Sequence, residues 1–124
     1  MIPLKLSAVA VLAALTLTLA AAPSPAGAAA YRHYVACGVG KKAAPSHRCA
    51  AGAMKGAFFK SNRGDVRYTV CLRLPAGRSL CAKGQSAEQG VLYVNRITST
   101  VRGSHRIAWF VKGKRVGAFF FRVA

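Results

Sequence analysis

Carboxylates are nearly missing from this chain: Asp65 and Glu88 are the only two acidic side chains among 124 residues. Far apart and differently flanked, they leave little from which to build a glycosidase's paired carboxylates or the oxygen cage of a calcium site. Catalytic signatures are missing too, with no G-x-S-x-G, no phosphate-binding glycine loop and no H-E-x-x-H. No C-x-x-C spacing occurs, and His47 with Cys49 and Cys37 is a weaker zinc set than it is a disulfide neighbourhood. No segment carries a sustained helical period with caps. The expectation is an all-β protein with no metal and no cofactor.

What is present begins with an export signal. Lys5 lies near the amino end, an apolar run covers residues 6–22, and small residues with prolines follow through Ala30. A transmembrane anchor needs about 20 apolar residues, which this run barely supplies, and the small-residue cassette argues for cleavage. No Cys follows closely enough for lipid attachment. Residues 1–30 therefore read as a signal peptide, and the protein as secreted or held at the cell envelope.

Removing those 30 residues from 124 leaves 94, one small domain. A domain of that size buries roughly 60–65% of its unfolded surface, enough for a modest core. Without Lys5, 18 Lys and Arg face two carboxylates, a net charge of +16. Such a charge repels itself and opposes compaction. Two disulfides, at roughly 2–4 kcal/mol each, are the expected counterweight.

Residues 31–56, rich in Ala, Gly and Lys, read as an irregular segment pinned by Cys37–Cys49, and residues 57–124 as the folded domain. Val66, Tyr68, Val70, Leu72 and Leu74 alternate with Arg67, Thr69, Cys71 and Arg73, which marks a strand with its even positions inward. Pro75-Ala76-Gly77 supplies a hairpin turn. Centring the hairpin on Ala76 sets Leu72 opposite Leu80 and Cys71 opposite Cys81, so Cys71–Cys81 is the preferred bridge. Four cysteines allow three connectivities, and spacing leaves the other two open. Further strands are expected at 91–98, 105–111 and 116–123, the last two joined by Lys112-Gly113-Lys114. Six or seven short strands favour an antiparallel sandwich.

The stretches Leu92 to Ser99, Ala108 to Val111, Arg115 to Gly117 and Phe119 to Val123 resemble the last three strands of small secreted bacterial immunoglobulin-like domains. The resemblance covers about residues 57–124. It implies an immunoglobulin-like β-sandwich of the kind used as an adhesive or binding module, many of which have no assigned activity. The cysteines do not bracket Trp109, so the antibody-type inter-sheet bridge packed on Trp is not expected.

A two-residue turn at Lys112-Gly113, or at Gly113-Lys114, would face Ile107, Trp109 and Val111 inward with Val116, Ala118 and Phe120. Arg106, Ala108, Phe110, Arg115, Gly117, Phe119 and Phe121 would then face outward. Cations interleaved with rings suit polyanions, nucleotide bases or sugars. Burial of those phenylalanines by the amino-terminal segment or a second subunit is the alternative. Arg67, Arg73 and Lys83 would share the outward face of the Cys71–Cys81 hairpin and form a basic stripe with Lys112 and Lys114. A solvated sheet face in a protein basic everywhere is the plainer account.

Two alternatives remain on the sequence, a secreted cationic effector (ribonuclease-like or membrane-active) and a serine-protease inhibitor. His33, His47 and His105 invite a ribonuclease, although no spacing selects an acid–base pair. A membrane-active effector would ordinarily use an amphipathic helix, which is absent from the pattern. Arg78-Ser79, between Cys71 and Cys81, offers a braced loop for a serine-protease inhibitor. Asn62-Arg63-Gly64-Asp65 reads as turn chemistry rather than an adhesion tripeptide. The favoured expectation is a secreted, cationic, non-enzymatic module that binds an anionic polymer: a wall polymer, lipid headgroups or nucleic acid.

Overall fold

The alternation of apolar and polar residues builds strands along residues 30–124, the part described by the structure, a computed structural model. The export-signal reading of residues 1–30 lies outside the described residues except for Ala30. Among the described residues nine strands form in chain order: β1 (Tyr31–Ala36), β2 (Arg48–Cys49), β3 (Lys55–Ser61), β4 (Val66–Arg73), β5 (Ser79–Cys81), β6 (Gln85–Ala87), β7 (Leu92–Ile97), β8 (Gly103–Val111) and β9 (Lys114–Val123). They make a β-sandwich of two sheets. The smaller has the order β1-β3-β7; the larger runs β2-β9-β8-β4-β5, with β6 also on β4. All pairings are antiparallel except β2 with β9.

The amino-terminal segment is not the irregular strap the sequence suggested. Residues 31–36 pair with β3 from Tyr31 opposite Ser61 to Ala36 opposite Gly56. The chain then returns past β1 through the Ala36–Pro45 bridge and the Ser46 N–H bond to the Val35 carbonyl, and enters the other sheet as β2. The folded unit therefore begins at Tyr31 rather than at residue 57. Composition concealed β1 because every side chain of Tyr-Arg-His-Tyr-Val-Ala is found a place: Tyr34 stacks on Phe58 at 4.8 Å, and Arg32 lies over the Tyr34 ring at 5.0 Å.

Both expected disulfides form. Cys37–Cys49, with its Cα atoms 5.5 Å apart, joins the end of β1 in one sheet to β2 in the other. Cys71–Cys81, at 4.0 Å, crosses the β4–β5 ladder in the expected register, flanked by Leu72–Leu80 and Arg73–Ser79. The turn closes through the Gly77 N–H bond to the Leu74 carbonyl and the Leu74 N–H bond to the Arg78 carbonyl.

The core lies between the sheets. Tyr68, Val70, Ile107, Trp109, Val111, Phe121 and Val123 of the larger sheet meet Val35, Ala57, Phe59 and Ile97 of the smaller. The Tyr68 hydroxyl reaches Gln85 Oε1 at 3.1 Å and Asn95 Oδ1 at 3.0 Å. A hydroxyl has one proton, so one of those amides presents its NH2 instead. Burial, with the neighbouring Tyr93, pushes the Tyr68 phenol up to about 12.

His33 packs on the Trp109 indole at 5.0 Å and lies over Gly117, where a Cβ would fall within the imidazole's van der Waals envelope. Glycine is required there for close approach. Burial holds the His33 imidazole below the usual 6.5. The unfolded chain takes up that proton near 6.5, and the folded chain only at lower pH. Stability is thus whole above 6.5 and lost as pH falls through the folded value. The contribution of His33 is isolated by comparing the wild type with a variant that lacks it, between pH 7 and 5. Thermal unfolding should show a falling midpoint over that range, and a His33→Leu variant should flatten it; an equal slope in both would refute the assignment.

Candidate anion-binding surface

The outward faces follow from strand parity. On β4 the odd residues Arg67, Thr69, Cys71 and Arg73 point away from the core, because Tyr68 and Val70 point into it. On β8 the outward set is Ser104, Arg106, Ala108 and Phe110, the reverse of buried Ile107 and Trp109.

On β9 the structure corrects the expected facing. Lys112 (φ 53°) and Gly113 (φ 78°) form the tight turn, which sets Val111 opposite Lys114 and Phe110 opposite Arg115. A bulge at Val116 then shifts the register, so that Trp109 faces Gly117 and Arg106 faces Phe120. Carrying the turn's register through would have driven Arg122 into the core and Val123 out of it. The bulge satisfies both the turn and the apolar face. Its consequence is that Phe121 is buried, Phe120 is 64% exposed, and Phe119 turns inward. Phe119 is covered by the amino-terminal segment: His47 stacks on it at 4.1 Å, and the His47 Nδ1–H donates to the Phe120 carbonyl. The Phe121-Arg122-Val123 alternation was the sequence signal for this parity.

The nine surface residues named from sequence therefore divide. Arg73 and Arg106 stand directly opposite each other on β4 and β8, with Phe120 beyond Arg106 on β9. Phe110, half-buried, lies between Thr69 of β4 and Arg115 of β9 near the other end of the sheet, with Lys112 and Lys114 in the adjoining turn. Arg67 is committed to Ser86 Oγ and the Gly84 carbonyl, both at 3.1 Å, pinning β6 to β4. Lys83 sits in the connection between β5 and β6. Phe119 leaves the set, and Phe120 and Arg122 join it.

The two carboxylates set one hollow of the larger sheet apart from the others. Asp65 and Glu88 line one concavity of about 660 Å³ together with Arg67 and Lys112. The opposite end has no carboxylate in its lining. There a concavity of about 370 Å³ lies between the Leu74–Gly77 turn and β8, lined by Arg73, Pro75, Ser104, Arg106 and Phe120. Arg78 closes the turn, and Arg102 precedes Gly103, which abuts the Pro75 ring. A second hollow of about 230 Å³, lined by Phe120, Arg122 and His47, adjoins it across Phe120. The Arg106 Nε–H is buried and has no hydrogen-bond partner among the described residues. Arg73 and Arg106, paired across β4 and β8 and both in that lining, can offer guanidinium donors to an oxyanion.

The histidines are dispersed in role. His105 is buried, bonded through Nδ1 to the Gly103 carbonyl (3.0 Å) and through Nε2 to Ser99 Oγ (2.9 Å). His33 packs on Trp109 and His47 on Phe119. Ser79 of the proposed inhibitory loop pairs with Arg73, and the Arg78 carbonyl accepts from Leu74, so that backbone is engaged in the ladder and turn. Among the described residues no group of three or more His, Cys, Asp or Glu could hold a metal ion.

No protein-family model matches the chain, and no curated protein does. Among solved structures, an immunoglobulin-like protein from Pseudomonas aeruginosa is similar, with a TM-score of 0.46 and 17% identity over 76% of this chain and 91% of that one.

Proposed function

We propose that this chain is an exported, non-enzymatic binding module that holds anionic polymers outside the cytoplasm, free or at the cell envelope. The observation that carries the reading is the segregation of charge on the larger sheet. Both carboxylates lie beside Arg67 and Lys112 at one end, while Arg73 and Arg106 face each other at the other with no counter-charge in the seat. Opposed like charges cost stability, roughly 0.2–1 kcal/mol per pair, and a bound anion relieves that cost. Two disulfides suit an oxidising compartment, and the export signal read in the sequence agrees.

The test is a salt titration of binding to polyphosphate, single-stranded DNA and phosphatidylglycerol vesicles. Counterion release makes log affinity fall linearly with log salt, so affinity for whichever probe binds should drop steeply between about 50 and about 200 mM. Affinity that does not respond to salt would sink the reading, as would failure to bind any of the three.

A further inference from the structure

We infer that the seat at the Pro75 end takes single-stranded nucleic acid, with a phosphodiester on Arg73 and Arg106 and a base stacked on Phe120. The inference rests on the anion-binding reading above and narrows its ligand.

Three observations converge. The seat's cations are guanidiniums, whose planar forks bind phosphate oxygens through paired hydrogen bonds. Phe120, 64% exposed, stands between the two hollows as a ring offered to solvent, a face on which a base can stack. Arg122 follows two residues later on the same outward face of β9. Two residues of strand advance about 7 Å, so Arg122 lies along β9 from Phe120 while Arg106 lies across the ladder from it. Cation, ring, cation is the order in which one nucleotide repeat presents phosphate, base and phosphate.

The same lining argues against a glycan as occupant. Sugar hydroxyls need side-chain acceptors, and both carboxylates are at the far end, leaving Ser104 as the seat's one hydroxyl. A duplex would need an element that enters a groove, whereas the seat is a shallow hollow on a sheet face. No side chain in the lining is an amide, so binding should tolerate any base sequence.

The experiment compares a labelled ten-nucleotide oligothymidylate with an abasic deoxyribose-phosphate oligomer of equal length, at one salt concentration, on the disulfide-intact protein. Stacking of one base should favour the oligothymidylate about tenfold. Phe120→Ala should abolish that preference while leaving the abasic affinity unchanged, and Phe120→Tyr should retain it. Equal wild-type affinity for both oligomers would overturn the inference and leave the anion-binding reading standing. Tighter binding of an anionic wall glycopolymer than of either oligomer would do the same. Loss of both affinities in Phe120→Ala, with an unchanged unfolding midpoint, would also overturn it. Failure of the wild type to bind any polyanion would instead remove the reading beneath it.

Discussion

A Cys37→Ser/Cys49→Ser variant should lose about 3 kcal/mol of folding stability by the loop-entropy argument, a large part of what a domain of this size possesses. The bridge spans 12 residues and ties the end of β1 to β2, so it holds the two sheets together along the edge where the chain crosses between them. Its loss would also free His47 from Phe119 and reopen the inner face of β9. Cys71→Ser/Cys81→Ser closes a loop of similar length, 10 residues, yet should cost less. Its cysteines are cross-strand neighbours in a hairpin with strong turn chemistry, so the unfolded chain already samples the closed state and the cross-link removes less entropy. Urea unfolding of the two variants decides the matter. An equal or larger loss from the hairpin bridge would show that the inter-sheet crossing contributes nothing special.

Neutralising the facing arginines should move stability and binding in opposite directions. Arg73→Gln/Arg106→Gln removes a like-charge pair set directly across β4 and β8, in a domain carrying +16. Unfolding free energy should rise by a few tenths to about 1 kcal/mol. Affinity for single-stranded DNA should fall at least tenfold, and the slope of log affinity against log salt should shrink by about 1.4, two contacts at about 0.7 each. Removing Arg67 and Lys112 instead, which share their hollow with Asp65 and Glu88, should change binding far less. A double variant that is less stable and binds as before would contradict the assignment of this seat. Proteins commonly give up stability at a functional surface in this way, and the opposite signs of the two effects distinguish it from a general loss of positive charge.

Much of the architecture was legible before any coordinates. Period-two alternation located β4 and β7 to β9, and turn chemistry at Pro75 and at Lys112-Gly113 set two hairpins. The Cys71–Cys81 pairing followed from the first of those turns. These features are local: a turn fixes which residues oppose each other, and alternation tells which of them are apolar. β1 was not legible. Its six residues combine aromatic, basic and small side chains, and it becomes a strand because β3 offers a ladder and Phe58 a stacking partner 22–27 residues away from it.

The candidate surface divided along the same line. Chain chemistry alone determined that a disulfide-bridged sheet protein would be overwhelmingly cationic, because composition and spacing need no partner to be read. Tertiary structure decided which cations gather and which aromatic ring they gather around. One inserted residue, Val116, reverses the facing of everything after it on β9, trading Phe119 and Phe121 for Phe120 and Arg122 on the outer face. That choice belongs to the core, which accepts Val123 and refuses Arg122, and the clustering of both carboxylates at the far end is a fact of sheet register rather than of sequence distance.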